Sequence, residues 1–156
     1  MFRKMRRFNQ EIPEQECIDI LKEQARGVLA VYGEDGYPYT FPMDYIYMDE
    51  KIYFHCAKEG HKLDAIAADN RVSFCVMDDG FRKSGDWALN IRSIVIFGRV
   101  RRIDDADETL KIVHRLGLKY YPTAESVDEE IRKAIARVQI LELSIDHMTG
   151  KLVNES

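Results

Sequence analysis

The chain has 156 residues, of which 46% are hydrophobic and 32% are charged, and its formal net charge is -4. This length and composition are typical of a globular protein with a substantial core, so we expect a single domain over residues 1–156. The negative charge argues against non-specific binding of nucleic acid, which requires a basic surface. No apolar run approaches the ~20 residues of a membrane span, so we expect no membrane partner either.

The first residues, MFRKMRRF, are basic but lack the apolar segment of a signal peptide. We therefore predict a flexible N-terminal arm over residues 1–9 and a cytoplasmic protein. The cysteines are sparse, widely spaced and without a metal-binding pattern, which favours reduced thiols; they are Cys17, Cys56 and Cys75.

The first elements predicted are a helix and a hairpin. A helical pattern follows Pro13, and an apolar strand over Val28–Tyr32 leads through a turn into a second strand that ends near Tyr47. Pro38 and Pro42 interrupt this second strand. Because proline donates no hydrogen bond to a ladder, we expect the strand to lie at an edge, a bulge or a rim of the sheet.

The middle of the chain alternates strands with one short helix. A strand over Lys51–Cys56 is followed by a glycine-marked turn, a helix over His61–Ala68 and a strand over Arg71–Met77. A long strand over Ala88–Asp104 comes next. Its apolar pattern is broken at Gly98, and glycine in the middle of a strand often marks a bulge.

The last third has two helical patterns, Asp105–Tyr120 and Glu125–Val138, and a final strand over Gln139–Asp146. His147 follows this strand in the run DHMTGK, and its pattern is compatible equally with a turn or interface role and with a ligand role. Antiparallel hairpins dominate and no regular βαβ repeat occurs. The pattern therefore predicts a mainly β (α+β) protein, and it favours a small barrel over a doubly wound sheet.

Several catalytic patterns are absent from the sequence: those of a dinucleotide fold, a P-loop, a zinc protease and a nucleophile elbow. Hydrolase and kinase functions therefore have no support. The four histidines are too dispersed to predict a metal site. A group of tyrosines on two adjacent strands is typical of a core or an interface and could also flank a planar cofactor; its members are Tyr37, Tyr39, Tyr45, Tyr47 and Tyr53.

The most informative polar motif is Gly60-His61-Lys62, at the start of the predicted short helix. Backbone N–H groups and the helix dipole favour an anion at such a position, and a lysine adds positive charge and donors. The spacing alone, however, favours an exposed basic helix start without a ligand. A phosphate site remains the alternative at this level.

Three phrases carry a family resemblance: YFHCAKEGHKLDAI, SIVIFGRVRRI and DHMTGK. They resemble the FMN-binding split-barrel superfamily of pyridoxamine 5′-phosphate oxidase, and more closely its branch named for 5-nitroimidazole resistance. The similarity covers residues 10–151. It implies a six-stranded antiparallel split β-barrel with peripheral helices, and a homodimer that holds two flavin sites at the subunit interface.

The resemblance also implies which residues contact the flavin. The cofactor-binding positions are Phe41, Pro42, Met43, Asp44, His55, Cys56, Ala57, His61, Lys62 and Ser93. The pair His61 and Lys62 replaces an Arg-Lys pair with which the oxidases hold the phosphate. In the branch named for 5-nitroimidazole resistance, this histidine lies close to the flavin and the substrate. We therefore predict that His61 is the catalytic proton donor and that Lys62 binds phosphate.

One difference from the oxidases bears on the substrate. Their C-terminal Arg-x-His pattern, which grips pyridoxal phosphate, has no match near residues 146–156, so vitamin B6 oxidation is disfavoured. We expect an FMN-dependent reductase of small aromatic or nitro-type acceptors, with a nicotinamide as the candidate electron donor. The alternative is a non-catalytic module that holds flavin or haem, with His55 or His61 as the haem ligand, and a third option is a deazaflavin cofactor.

Overall fold

A computed structural model describes residues 1–154. Its strands are β1 (Arg26–Tyr32), β2 (Pro38–Asp44), β3 (Ile46–Met48), β4 (Lys51–Ala57), β5 (Arg71–Met77), β6 (Asn90–Ile103) and β7 (Val138–Asn154). Its helices are α1 (Glu14–Glu23), α2 (His61–Ala68), α3 (Ala106–Tyr120) and α4 (Ala124–Ala134), with short 3-10 turns at Phe8–Gln10 and Ile135–Arg137. Within residues 1–154, no helix is both long and apolar enough to cross a membrane.

All strands belong to one antiparallel sheet with the order β2-β1-β5-β6-β7-β4-β3. The predicted mainly β split barrel with peripheral helices is confirmed, but the sheet has seven strands rather than six. The additional strand arises because the second predicted strand divides at Tyr45, and not at its prolines. The Tyr45 side chain is fully buried, and its hydroxyl donates to the Leu21 carbonyl at 2.7 Å. This burial turns the chain inward between β2 and β3.

The sheet is curled, because the chain passes directly from β2 at one edge to β3 at the opposite edge. The concave side holds the main core. Phe74 lies at its centre, fully buried, with the rings of Tyr45 and Phe54 each 5.1 Å away in edge-to-face contact. Side chains alternate between this core and the outer face along β1 and β5, as the period of a strand requires.

The predicted edge position of the proline-containing strand is confirmed, because β2 ends the sheet and pairs with β1 only, among residues 1–154. Pro38 and Pro42 lie opposite Tyr32 and Val28. Since proline has no N–H, these positions are the ones whose backbone groups point away from β1. Thr40 lies between them in the same phase, so its N–H and carbonyl also point to the free edge.

The final strand, predicted to end at Asp146, is longer: β7 continues to Asn154 and pairs with the whole of β6, so His147 lies in a strand and not in a turn. The ladder shifts between Phe97 and Gly98, and Asp146 becomes the extra residue of a bulge. A Cβ atom at Gly98 would lie 2.3 Å from the Ser144 carbonyl oxygen, so the bulge requires glycine there. The bulge predicted at Gly98 is therefore confirmed.

The N-terminal residues lie over the outer face of β6 and β7. The ring of Phe2 stacks on the imidazole of His147, with 4.6 Å between centroids, and is 5.8 Å from the ring of Phe97. The flexibility of residues 1–9 stays a prediction.

Candidate functional site

Four of the predicted site residues come together where β2, the end of β4 and the start of α2 meet. Lys62 is the second residue of α2, and its ammonium lies 3.7 Å from the sulfur of Met43. The same ammonium is 4.7 Å from the centroid of the Phe41 ring. Cys56 faces this group from β4. We call this group of Phe41, Met43, Cys56 and Lys62 the Lys62 cleft. It holds one positive charge, and its side chains from β2 are apolar.

Burial and two nearby cations have opposite effects on the pKa of the Cys56 thiol. Burial raises its pKa, and the positive charges of Lys62 and Arg102 oppose that rise. Arg102 comes from β6 and donates to the Gln139 side chain at 2.8 Å and to the Lys58 carbonyl at 3.3 Å. Its guanidinium is therefore held beside the turn that precedes α2.

Sequence reasoning missed this arginine. In the structure Arg102 turns to the α2 side, whereas Arg101 binds the buried carboxylate of Glu142 at 2.8 Å. Alternation along a strand predicts that these neighbours point to opposite faces. Their partners depend on the register of β6 with β7, which the sequence does not reveal.

His61 lies on the other side of Lys62, over the edge strand. Its imidazole stacks on the ring of Tyr39, with centroids 4.3 Å apart and planes 12° from parallel. The centroid of the Tyr39 ring lies in turn 4.9 Å from that of the Phe41 ring. The three rings form a continuous surface beside the free edge of β2, and Tyr39 belongs to the tyrosine group for which a cofactor wall was one interpretation.

The start of α2 presents backbone donors at the same place. Gly60 has a φ of +139°, a conformation that favours glycine, and its carbonyl accepts from the N–H groups of Leu63 and Asp64 at 3.1 Å. The N–H groups of His61 and Lys62 precede the first complete helical turn, so they have no intrahelical acceptor. Together with the Lys62 ammonium, they are suited to an anionic group.

His55 and Asp44, also predicted as flavin contacts, lie elsewhere. They form part of the wall of a cavity of about 270 Å³ between the sheet and the helices α3 and α4. His55 and Cys56 are neighbours on β4, so their side chains point to opposite faces of the strand. Asp44 is bonded to Arg26 at 2.7 Å. The structure thus divides the predicted residues between the Lys62 cleft and this second cavity.

The end of α3 is anchored to the connection between β2 and β3. The ammonium of Lys119 donates to the carbonyls of Gln24 and Tyr45 at 2.7 and 3.0 Å. Burial lowers the pKa of Lys119 to about 8. The Tyr120 hydroxyl accepts from the N–H of Tyr45 at 2.8 Å and lies 2.7 Å from the carbonyls of Ala25 and Tyr45. These contacts hold α3 over Asp44.

The side chains of the remaining predicted residues lie outside both groups. Pro42 is within β2 and Ala57 is the last residue of β4, and both side chains are exposed. Ser93 lies on the outer face of β6, in a surface cavity beside Arg3 and Lys4 of the N-terminal segment. In the sheet it is three strand positions from β2 and two from β4, so one chain does not bring Ser93 to the Lys62 cleft.

Comparison with solved structures supports the architecture. A candidate 5-nitroimidazole antibiotic resistance protein of Bacteroides thetaiotaomicron has 20% identity and a TM-score of 0.77, with 92% of this chain and 87% of that chain covered. An FAD-binding protein of Mesorhizobium loti has 22% identity and a TM-score of 0.67, with coverages of 92% and 97%. An FAD- and haem-binding protein of Mycobacterium smegmatis has 22% identity and a TM-score of 0.74, with coverages of 94% and 74%.

At these identities the structural likeness shows the fold alone. A comparison with curated protein sequences finds no match. The sequence profile of the family described as pyridoxamine 5′-phosphate oxidase, however, matches residues 13–152, which include every strand except the last two residues of β7. This chain therefore belongs to the pyridoxamine 5′-phosphate oxidase family.

Proposed function

We propose that this protein is a flavoprotein that binds FMN and passes its electrons to small aromatic or nitro-type acceptors. The observation that carries the proposal is the position of the Lys62 ammonium, 3.7 Å from Met43, between the free edge of β2 and the start of α2. The names of the relatives support it, because they include flavin-binding proteins and a candidate nitroimidazole resistance protein.

Each part of the cleft suits one part of FMN. The Lys62 ammonium and the first N–H groups of α2 supply positive charge and donors for the phosphate. The backbone groups of Thr40 and Pro42 at the free edge of β2 suit the polar edge of the isoalloxazine ring. Tyr39 and Phe41 supply aromatic surface for its faces. When bound, the flavin supplies the redox chemistry, while these residues hold and orient it.

We assign the proton-donor role to His61, as the sequence predicted. Stacking on Tyr39 fixes the plane of the exposed imidazole, so that one ring edge stays accessible beside β2. Histidine is the side chain best suited to give and take protons near neutral pH.

A module that holds haem is the second candidate, because His55 is an exposed imidazole at the wall of an apolar cavity. The cavity of about 270 Å³ lies below the range for drug-sized ligands, which disfavours a porphyrin inside it.

Anaerobic mixing of the purified protein with NADH or NADPH and a nitroaromatic tests the reductase. We expect the absorbance band of the flavin in the blue to disappear when NADH or NADPH is added and to return when the nitroaromatic is added. If neither NADH nor NADPH reduces the flavin, the proposal of a reductase with a nicotinamide donor is contradicted.

We also propose a homodimer with the cofactor at the interface. The outer face of β1, β5 and β6 exposes apolar side chains that no helix covers within residues 1–154; the most exposed are Val28, Tyr32, Met77 and Phe97, at 40 to 59%. A contiguous apolar face of this kind is typical of a protein interface. It would also bring Ser93 of one chain next to its partner.

The dimer can be tested by placing a charge on this face. Met77→Glu should weaken the association of the subunits about tenfold or more, because an unpaired carboxylate would be buried in the interface. Leu110→Glu is the matched control, since Leu110 is 47% exposed on α3. Sedimentation velocity at several concentrations gives the dissociation constants. A wild-type protein that is a stable monomer when loaded with FMN would contradict the proposal.

A further inference from the structure

A cavity of about 270 Å³ lies under the N-terminal segment, on the outer face of β6 and β7. Because residues two apart on a strand point to the same side, three cross-strand pairs form its floor; they are Ser93 with Lys151, Val95 with Thr149, and Phe97 with His147. Arg3, Lys4 and Met5 form the opposite wall. We call this space the arm cavity.

Contacts at both ends tie the N-terminal segment to β7. At its start, the Phe2 ring stacks on the imidazole of His147, with centroids 4.6 Å apart and planes 5° from parallel. At its end, the N–H of Ile12 donates to the carbonyl of Gly150 at 3.0 Å. The residues between these two contacts, including Arg3 and Lys4, therefore cross the floor of the arm cavity.

Positive charge accumulates in the arm cavity without a counter-charge. Arg3, Lys4 and Lys151 line it, and among residues 1–154 no aspartate or glutamate does. None of the three cations forms an ion pair in that part of the chain either. On the same face of β6, by contrast, Arg99 pairs with Asp146 at 3.4 Å. Because like charges repel each other, an anion bound among the three cations would be stabilised.

Lys151 leans across the floor of the arm cavity. Burial raises the pKa of Cys75 on β5, and the positive charge of Lys151 opposes that rise. Since β6 lies between β5 and β7, the ammonium must lie toward β6 for its charge to act on Cys75. The half-buried side chains of Ser93 and Thr149 add hydroxyl donors at the same place.

The rest of the arm cavity is apolar and small. Val95 and Met5 are half-buried in its wall, and Phe97 is 40% exposed. The volume corresponds to about nine waters at ~30 Å³ each, enough for a phosphate group and one ring. It lies below the range for drug-sized ligands, and is therefore too small for a whole FMN.

We propose that the arm cavity binds a phosphate monoester that carries a small apolar group. The cations and hydroxyls suit the phosphate, which has nearly two negative charges at neutral pH, and Phe97 and Val95 suit the organic part. The inference does not depend on the flavin, because the lining shares no residue with the Lys62 cleft. The cavity borders the proposed dimer face through Phe97, but all its cations come from one chain.

Recognition of charge and of the apolar group is the first test. The purified protein, incubated with excess FMN, is titrated calorimetrically with phenyl phosphate, inorganic phosphate and benzyl alcohol. We expect phenyl phosphate to bind most tightly, inorganic phosphate about tenfold more weakly, and benzyl alcohol more weakly still. Inorganic phosphate that binds as tightly as phenyl phosphate would overturn the assignment of an ester. Failure of both phosphate compounds to bind would overturn the whole proposal.

Removal of single charges is the second test. Lys151→Met should weaken the binding of phenyl phosphate about tenfold or more, because a hydrogen bond to a charged group is lost. The double variant Arg3→Met with Lys4→Met should have a similar effect. Lys111→Met is the matched control, since it removes the same charge from an exposed position of α3 outside the lining, and it should stay within about twofold. Equal losses in Lys151→Met and Lys111→Met would show non-specific attraction and overturn the proposal.

FMN affinity, measured by fluorescence titration of the same variants, separates this site from the proposed flavin site. Lys62→Ala should bind phenyl phosphate within about twofold of the wild type, because Lys62 is outside the lining. Lys151→Met should keep its FMN affinity. Loss of FMN affinity in Lys151→Met would assign the cavity to the flavin phosphate and overturn a separate site. Wild-type protein that binds phenyl phosphate but no flavin would contradict the proposed flavoprotein and support the arm cavity.

Discussion

Lys62→Ala should weaken the binding of FMN about tenfold or more, because a hydrogen bond to a charged group contributes roughly 1.5–3 kcal/mol. Lys62 is the one cation that contacts β2 in the cleft, 3.7 Å from Met43 and 4.7 Å from the Phe41 ring, among residues 1–154. The effect should be largest at low salt, since ions screen a charge that is partly exposed. Fluorescence titration of the apoprotein with FMN gives the two dissociation constants.

Two controls separate charge from packing. Lys62→Met keeps an apolar side chain at this position and removes the ammonium that contacts Met43 and Phe41, so it should lose nearly as much FMN affinity as the alanine variant. Lys58→Ala removes an exposed lysine from the same turn and should bind FMN like the wild type. Unchanged FMN affinity in both Lys62 variants would show that the phosphate lies elsewhere.

Arg101→Met should lower the free energy of unfolding by roughly 1.5–3 kcal/mol, the range for a hydrogen bond to a charged group, because Glu142 is buried while Arg101 itself is exposed. Arg101 donates two hydrogen bonds to the Glu142 carboxylate, at 2.8 and 3.1 Å, and that side chain is only 2% exposed. Lys51 still binds Glu142 at 3.1 Å, which limits the loss. Urea denaturation measures the change. Because Arg101 also approaches Glu108 of α3, the pair helps to hold the helix that lines the cavity with His55 and Asp44.

Arg99→Met is the matched control two residues earlier on β6. Arg99 pairs with Asp146 at 3.4 Å where both are exposed, so its loss should cost about 1 kcal/mol or less.

Burial would raise the pKa of Glu142, but bonds from Arg101 and Lys51 outweigh this and hold the pKa below the usual 4.5. The stabilisation is therefore present above pH 4.5 and lost as the pH falls through the lowered value. The difference between wild type and Arg101→Met should shrink in acid; equal stabilities at neutral pH would contradict the account.

Local signals determined which elements the sequence could predict. The bounds of α2, His61–Ala68, match the prediction because Gly60 precedes the helix and Asp69 ends it. The strand β5 was also predicted with its observed bounds, since apolar residues alternate along Arg71–Met77. The second half of β7 was missed, because the run after Asp146 is polar and becomes a strand only through pairing with β6.

The candidate site was predictable only in part. The resemblance supplied the residues of the Lys62 cleft, and the structure brings Phe41, Met43, Cys56 and Lys62 together. It gave no sign of the cavity, whose walls come from β2, β4, α3 and α4, segments far apart in the chain. Their meeting depends on tertiary contacts such as the bonds of Lys119 to two backbone carbonyls, and no local pattern encodes such contacts.

The most direct test of the flavoprotein is the absorbance spectrum of the purified protein, together with the mass of the small molecule that copurifies with it. We predict bands in the near ultraviolet and the blue and the mass of FMN, present at one molecule per chain after reconstitution. A Soret band would indicate haem, and the mass of a deazaflavin would replace FMN by another cofactor. A protein that binds no flavin even after incubation with FMN would contradict the account.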